Sequence, residues 1–143
     1  MSPAYGEFLR AYLGSFRKFL EENHINKEAV FFHLSDEPME DCLEYYADAL
    51  PVVKPLIRDF RSGDALVHYA FYEKGYVETP IVVHASEEMG QFIENCGCFW
   101  VYYTGGQASN GYANRLIATT SARNRILGIQ MYAAGAKGFL HWG

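Results

Sequence analysis

The sequence predicts an α/β protein in which five parallel strands alternate with helices, as in the later part of a (β/α)8 TIM-type barrel. Apolar runs of strand length recur five times, and helical periodicity separates most of them. Such near-continuous apolar runs are typical of parallel strands that are buried on both faces. A complete eight-stranded barrel takes about 250 residues, whereas this chain has 143. We therefore expect residues 1–143 to be a single domain that forms the last five strands of a barrel, hence a fragment of one.

The first helix is predicted from about Ala4 to Glu22, because apolar residues recur there at every fourth position. Three further segments combine helical periodicity with start and stop signals. These helices are predicted at about 39–60, 86–95 and 120–134.

The five strands are predicted from short apolar runs that turn residues bound. Ser62, Gly63 and Asp64 have the chemistry of a turn and are expected to precede the second strand. Between the fourth strand and the last helix, residues 104–116 form a loop rich in Gly, Ser and Asn, and its length suggests a function. The predicted strands are 29–34, 65–70, 80–83, 98–103 and 139–142.

Two adjacent carboxylates, Asp36 and Glu37, follow the first predicted strand, and Pro38 must end that strand because it cannot donate to a ladder. The carboxyl ends of parallel strands are where α/β proteins place their active sites. Strand alternation puts His33 and Glu37 on one face, which we expect to be the barrel interior. The alternative is that Ser35 or Asp36 caps the next helix and Glu37 lies in its acidic first turn.

Aromatic side chains are expected near the same end of the sheet. Trp100 and Tyr102 share one face of the fourth strand, and Trp142 closes the fifth. Together with two carboxylates, such rings form a plausible sugar subsite, since rings stack on apolar sugar faces and carboxylates act on the glycosidic oxygen. Packing in the core is the alternative role for Trp100.

Composition and motifs exclude several other classes of protein. The net charge of −5 and the pI near 5.5 argue against a nucleic-acid partner. We predict no membrane span, since no apolar run approaches about 18 residues, and no signal peptide at the start of the chain. Phosphate-binding loops and the serine hydrolase elbow are missing.

We also predict no cofactor and no metal. His33, His68 and His141 could share a metal ion, because all three lie on predicted strands, but hydrogen-bonded polar roles are favoured. The three cysteines have no zinc-like spacing and are expected to be free thiols.

Four segments occur in one order and carry a family resemblance: residues 33–38, 99–102, 125–128 and 138–143. The set resembles the catalytic domain of glycoside hydrolase family 123, whose characterised members are β-N-acetylgalactosaminidases. The resemblance implies a (β/α)8 barrel preceded by a β-sandwich. It further implies a glycan or glycoconjugate substrate with terminal β-linked N-acetylgalactosamine, or another N-acetylhexosamine, and a parent protein that is secreted or periplasmic.

The resemblance also implies a substrate-assisted retaining mechanism, an exception to the two-carboxylate scheme. The substrate's 2-acetamido oxygen attacks the anomeric carbon. Glu37 protonates the leaving oxygen and then activates water, while Asp36 holds the acetamido N–H. Tyr102 is assigned to the acetamido oxygen and Trp142 to the floor of the sugar pocket. His33 and Trp100 complete the expected substrate contacts.

Two alternatives remain open on the sequence. The chain could be a carbohydrate-binding relative that has lost its chemistry, or a small free-standing α/β domain with an open sheet. A half-barrel would leave an unpaired strand at each edge and an exposed apolar inner face, and both features invite association, so a homo-oligomer is a further expectation. A half-barrel alone is also expected to show no glycosidase activity.

Overall fold

The computed structural model describes residues 2–105 and 111–141. Its core is one sheet of five parallel strands in the order β1-β2-β3-β4-β5, so each strand pairs with its neighbour in sequence. The strands are β1 Phe31–His33, β2 Arg61–Leu66, β3 Thr79–Val83, β4 Trp100–Tyr102 and β5 Gly138–Phe139.

Helices precede β1 and connect the strands. None of the helices described is long and apolar enough to cross a membrane. Short 3₁₀ turns lie at Lys27–Ala29 and Glu40–Cys42. The helices are α1 Pro3–Glu22, α2 Leu43–Ile57, α3 Ala70–Glu73, α4 Met89–Asn95 and α5 Ser121–Ala134.

The predicted fold class is confirmed: the sheet is parallel, its order is sequential, and it curls into a half-barrel with interleaved helices. Contacts across the sheet show the curl. Three strand spacings would separate β1 from β4 by about 14 Å in a flat sheet. The rings of Phe31 in β1 and Trp100 in β4 nevertheless stack with their centroids 5.2 Å apart.

The predicted position of the second strand is wrong, and so is the predicted turn at Ser62, Gly63 and Asp64. These three residues form part of β2, pairing with β1 on one side and β3 on the other. Gly63 is needed for packing, because a Cβ there would lie 2.1 Å from the backbone oxygen of Thr79. Gly and Asp are typical of turns, but here Gly63 allows two strands to approach closely and Asp64 is a buried carboxylate. The composition of this segment was therefore misleading.

The outer face of the sheet packs against helices and forms the largest buried apolar cluster. Leu66, Val82 and Val101 point outward from β2, β3 and β4. They contact Phe71 of α3 and Phe92 of α4, both fully buried. A second cluster joins α1, α2 and the outer side of β1 through Leu13, Leu20, Ile57, Phe60 and Phe32.

The inner face of the sheet is also apolar over most of its height. Alternate residues of β2, β3 and β4 meet there, as the period of two along a strand requires. This inner cluster comprises Ala65, Ile81, Val83 and Tyr102, with Phe31, Trp100 and Leu140 packed against it.

We predict that Gly138→Ala destabilises the chain. A Cβ at Gly138 would lie 2.4–2.6 Å from three ring atoms of Trp100. Forcing a methyl group into a packed core costs about 1–3 kcal/mol. The matched control is Gly128→Ala in the middle of α5, where a Cβ would meet nothing within 4 Å, and which should be stabilising by about 0.5–1 kcal/mol. Urea unfolding of both variants measures the difference, and a neutral Gly138→Ala would contradict the packing described.

Candidate functional site

The turn after β1 carries Asp36 and Glu37 in an unusual backbone conformation. Glu37 has φ 46°, in the left-handed region that residues other than glycine rarely adopt. Pro38 is buried directly after it, whereas Asp36 is exposed and Glu37 half-buried. Backbone strain of this kind persists only where surrounding contacts enforce it, and it is concentrated at functional sites.

Tyr102 of β4 holds the Glu37 carboxylate. The phenol of Tyr102 is fully buried in the inner face, and its O–H donates to Glu37 Oε1 at 2.5 Å. Burial raises the pKa of Tyr102, and the hydrogen bond to Glu37 and the charges of Glu37 and Asp36 raise it further. Tyr102 is therefore a neutral donor that fixes one carboxylate oxygen of Glu37.

Asp64 of β2 holds the backbone of the same turn from the outer face. Its side chain is fully buried, and Oδ1 accepts the N–H groups of Leu34 at 2.6 Å and Ser35 at 2.7 Å. The Tyr46 hydroxyl of α2 donates to Oδ2. Burial raises the pKa of Asp64, and the hydrogen bonds from Tyr46, Ser35 and Leu34 oppose that rise. One buried side chain thus joins β2, α2 and the turn that carries the two candidate catalytic carboxylates.

His33 is positioned by the backbone of the neighbouring strand. Its Nε2 accepts the Ala65 N–H at 3.1 Å. Nε2 also lies 3.5 Å from Asp64 Oδ1. His33 is thus next to both the backbone of β2 and the buried carboxylate of Asp64.

In the part of the chain that the structure describes, Glu37 lines three cavities. The first is an apolar groove between α1, α2 and β1. The second, of about 540 Å³, is also lined by Asp36, Tyr103, Arg115 and His141. The third, of about 390 Å³, lies at the carboxyl ends of β2 and β3 and is lined by His68, Ser86 and Glu88. Glu37 therefore lies where these cavities meet.

The structure brings together some of the predicted site residues and separates others. Asp36, Glu37 and Tyr102 meet at the carboxyl end of the sheet, and His33 borders the groove beside them. Trp100 is the first residue of β4 rather than near its end, and it packs on Phe31 and over Gly138 below the site. The prediction for Trp142 lies outside the described residues.

The three histidines considered for a shared metal ion have separate surroundings. His33 bonds to the Ala65 N–H, and His68 Nδ1 lies 2.9 Å from Glu88 Oε1. His141 contacts the rings of Tyr103 and Phe139. Among the residues described, a different set places three donor atoms within 4.8 Å of one another: Glu40, His68 and Glu88.

Sequence reasoning missed the supporting residues of the site. Asp64 was assigned to a turn, and the pairing of His68 with Glu88 joins residues 20 positions apart. The topology could have revealed the pairing of His68 with Glu88, because His68 follows β2, Glu88 follows β3, and these strands are neighbours. Parallel strands bring the segments after them to one edge of the sheet.

Asp64→Ala should destabilise the chain strongly. It would leave the Leu34 and Ser35 N–H groups and the Tyr46 hydroxyl without their acceptor. Each buried unsatisfied group costs about 1–3 kcal/mol, so we expect a loss of roughly 3 kcal/mol or more. Asp64→Asn keeps one acceptor oxygen and is the matched control, with a smaller loss. Urea unfolding measures both, and equal losses would contradict the role given to Oδ1.

The arrangement is a strained turn that presents two adjacent carboxylates to cavities of ligand size, one carboxylate being fixed by a neutral phenol. Such a pair can transfer protons and can bind amide or hydroxyl hydrogens.

Comparison with known proteins gives the family. No curated protein matches the chain significantly. Residues 1–143 match the family model for the glycoside hydrolase 123 catalytic domain, and the chain therefore belongs to glycoside hydrolase family 123.

Proposed function

We propose that this domain hydrolyses terminal β-linked N-acetylgalactosamine, or a related N-acetylhexosamine, by a substrate-assisted retaining mechanism. The observation that carries the proposal is the placement of Glu37 at the carboxyl edge of the sheet. Tyr102 fixes its carboxylate, and Asp36 is next to it in the same turn. Membership of a glycoside hydrolase family supports the class of reaction.

In the first step Glu37 acts as the general acid. Its carboxyl group gives a proton to the glycosidic oxygen while the bond from that oxygen to the anomeric carbon breaks. The substrate's acetamido carbonyl oxygen forms the new bond to the same carbon, which closes a five-membered oxazolinium ring. No side chain becomes covalently attached to the sugar, and the aglycone leaves as a neutral alcohol.

In the second step Glu37, now a carboxylate, takes a proton from water while the water oxygen attacks the anomeric carbon. The bond to the acetamido oxygen breaks and the amide is restored. Two inversions at one carbon give overall retention. The Tyr102 hydroxyl donates to Oε1 of Glu37 and holds the carboxylate in position, and we assign the second oxygen, Oε2, to the substrate.

Asp36 has a different role, because it does not take part in proton transfer to the leaving group. We assign its carboxylate to the acetamido N–H, where it orients the amide oxygen and offsets the positive charge of the oxazolinium ion. Tyr102 has only one hydroxyl proton. In this structure that proton is donated to Glu37, so a hydrogen bond to the acetamido oxygen would require Tyr102 to exchange partners when substrate binds.

We further propose that the chain supplies the last five strands of an eight-stranded barrel. Among the residues described, β1 and β5 each have one neighbouring strand, and closure would cover both edges and the groove beside β1. On this basis the isolated chain should be inactive and prone to self-association. The activity assays use the full-length protein, meaning the complete product of the gene that encodes these residues.

Glu37→Gln tests the general acid. Substrates with poor leaving groups need protonation, and general acid catalysis contributes about 10²- to 10⁴-fold. We expect the variant to lose roughly that factor on an alkyl β-N-acetylgalactosaminide, and far less in the step that releases an activated aryl leaving group. Pre-steady-state release of the aryl alcohol measures that step separately. Equal losses of the release rate on both substrates would contradict the assignment.

Asp36→Asn tests the assistance by the acetamido group. Because Asp36 acts on the amide whichever group leaves, we expect similar losses, about 10²-fold or more, for the aryl and alkyl substrates. A substrate that lacks the 2-acetamido group should be poor with every variant. Near-normal turnover by Asp36→Asn, or a covalent glycosyl-enzyme found by mass spectrometry, would count against the mechanism. Retained sugar binding without hydrolysis by the unaltered protein would instead favour a carbohydrate-binding relative.

A further inference from the structure

The third cavity described above, at the carboxyl ends of β2 and β3, contains polar groups to which the reaction steps assign no role. We propose that this cavity binds the ring hydroxyl groups of the terminal sugar, that Glu88 is their acceptor, and that the cavity selects an uncharged sugar ring. The proposal rests on the proposed function, because it names the glycan chemistry recognised beside Glu37. Glu37 borders the cavity, so a sugar bound there lies next to the group assigned to the glycosidic oxygen.

Glu88 is held in a fixed position by two donors. Its Oε1 lies 2.9 Å from His68 Nδ1, and its Oε2 accepts the Tyr69 N–H at 2.6 Å. Since a carboxylate only accepts, Nδ1 carries the proton, and His68 is a positioning residue for Glu88. Each carboxylate oxygen has a second lone pair. The Glu88 side chain is 30% exposed, so a hydroxyl-bearing ligand in the cavity can use those lone pairs.

The cavity wall also contains two buried polar atoms and a residue with a strained backbone. Ser86 Oγ and His68 Nε2 are buried and have no hydrogen-bond partner among the residues described. A ligand hydroxyl that reached either atom would relieve the cost of leaving it unpaired. Ala85, between β3 and Ser86, has φ 59°. Two strained residues, Ala85 and Glu37, therefore border the cavity, as is common at ligand sites.

The volume and the charge of the cavity favour a single sugar ring that carries no charged group. Its volume of about 390 Å³ lies within the range of about 300–1,000 Å³ for small-molecule sites. Glu37, Glu87 and Glu88 line it, and neither Lys nor Arg is among the described residues that do so. A sulfate ester or a carboxylate on the ring would face like charges. Neutral hydroxyl groups would instead meet acceptors.

The main test compares Glu88→Gln with the unaltered full-length protein on an aryl β-N-acetylgalactosaminide. Loss of a hydrogen bond to a charged group should lower kcat/KM by about 10- to 100-fold, mainly through KM. Glu94→Gln is the matched control, because Glu94 lies in α4 close in sequence to Glu88, is exposed and does not border the cavity. Unchanged kinetics for Glu88→Gln, or equal losses in both variants, would overturn the proposal.

Deoxy sugars identify the contact. At least one monodeoxy analogue should be poor with the unaltered protein and lose nothing further with Glu88→Gln, because variant and analogue remove the same hydrogen bond. Full additivity for every analogue would overturn the proposal. A ring sulfate ester should lower kcat/KM by at least tenfold, and a sulfated substrate used as well as the neutral one would contradict the selection by charge.

His68 provides an independent variant. His68→Asn keeps a side-chain N–H near the position of Nδ1, whereas His68→Leu removes the donor. We expect KM to rise in His68→Leu and to be largely restored in His68→Asn. A purely structural role would instead show as equal losses of stability in the two variants with KM unchanged, and that result would overturn the role given to His68.

Direct binding separates failure of this proposal from failure of the proposed function. If the unaltered protein hydrolyses no β-N-acetylhexosaminide but binds N-acetylgalactosamine by titration calorimetry, and Glu88→Gln weakens that binding tenfold or more, the cavity assignment stands and the mechanism fails. If the unaltered protein neither hydrolyses a β-N-acetylhexosaminide nor binds N-acetylgalactosamine, the cavity assignment and the proposed function both fail.

Calorimetry with Ca²⁺, Mn²⁺ and Zn²⁺ tests whether Glu40, His68 and Glu88 bind a cation instead. Metal-dependent sugar binding that EDTA abolishes and Glu40→Gln weakens would overturn direct acceptance of the hydroxyl groups by Glu88.

Discussion

The curl of the parallel sheet is the constraint on which the site depends. Glu37 follows β1 and Tyr102 belongs to β4, yet their side chains share a 2.5 Å hydrogen bond. On a flat sheet their strands would be about 14 Å apart. One layer below, the ring of Phe31 in β1 stacks on the ring of Trp100 in β4 with centroids 5.2 Å apart, so side chains of the same two strands meet there as well. Apolar stacking at the base of the half-barrel thus brings a buried phenol within reach of the carboxylate at the top.

A buried residue on the outer face of the sheet fixes the turn that carries Asp36 and Glu37. Asp64 is buried on that face and accepts two backbone N–H groups of the turn, which fixes the chain just before Asp36. Tyr46 on α2 completes the set of donors to Asp64. A left-handed Glu37 costs conformational free energy, and contacts of this kind maintain it. The position of the turn therefore depends on polar groups that do not line the second and third cavities.

The sequence predicted what local patterns can encode. Five apolar runs with helices between them were sufficient for a parallel sheet, and Asp36 and Glu37 became candidates because they are adjacent at the end of a strand. Asp64 was missed because Ser-Gly-Asp has the composition of a turn, while Gly63 is present so that Thr79 can approach. The pairing of His68 with Glu88 is long-range, and no spacing rule reveals it. Trp100 was placed near the end of its strand because β4 was predicted to begin two residues too early.

The most direct test of the proposed mechanism is a crystal structure of the full-length protein bound to the thiazoline analogue of the cyclised N-acetylgalactosamine intermediate. We expect an Asp36 oxygen within hydrogen-bonding distance, about 2.7–3.2 Å, of the thiazoline nitrogen. We also expect the second oxygen of Glu37 above the anomeric carbon, on the side from which water attacks, with the sugar hydroxyl groups toward Glu88. An analogue bound with its nitrogen away from Asp36, or with the anomeric carbon out of reach of Glu37, would contradict the mechanism.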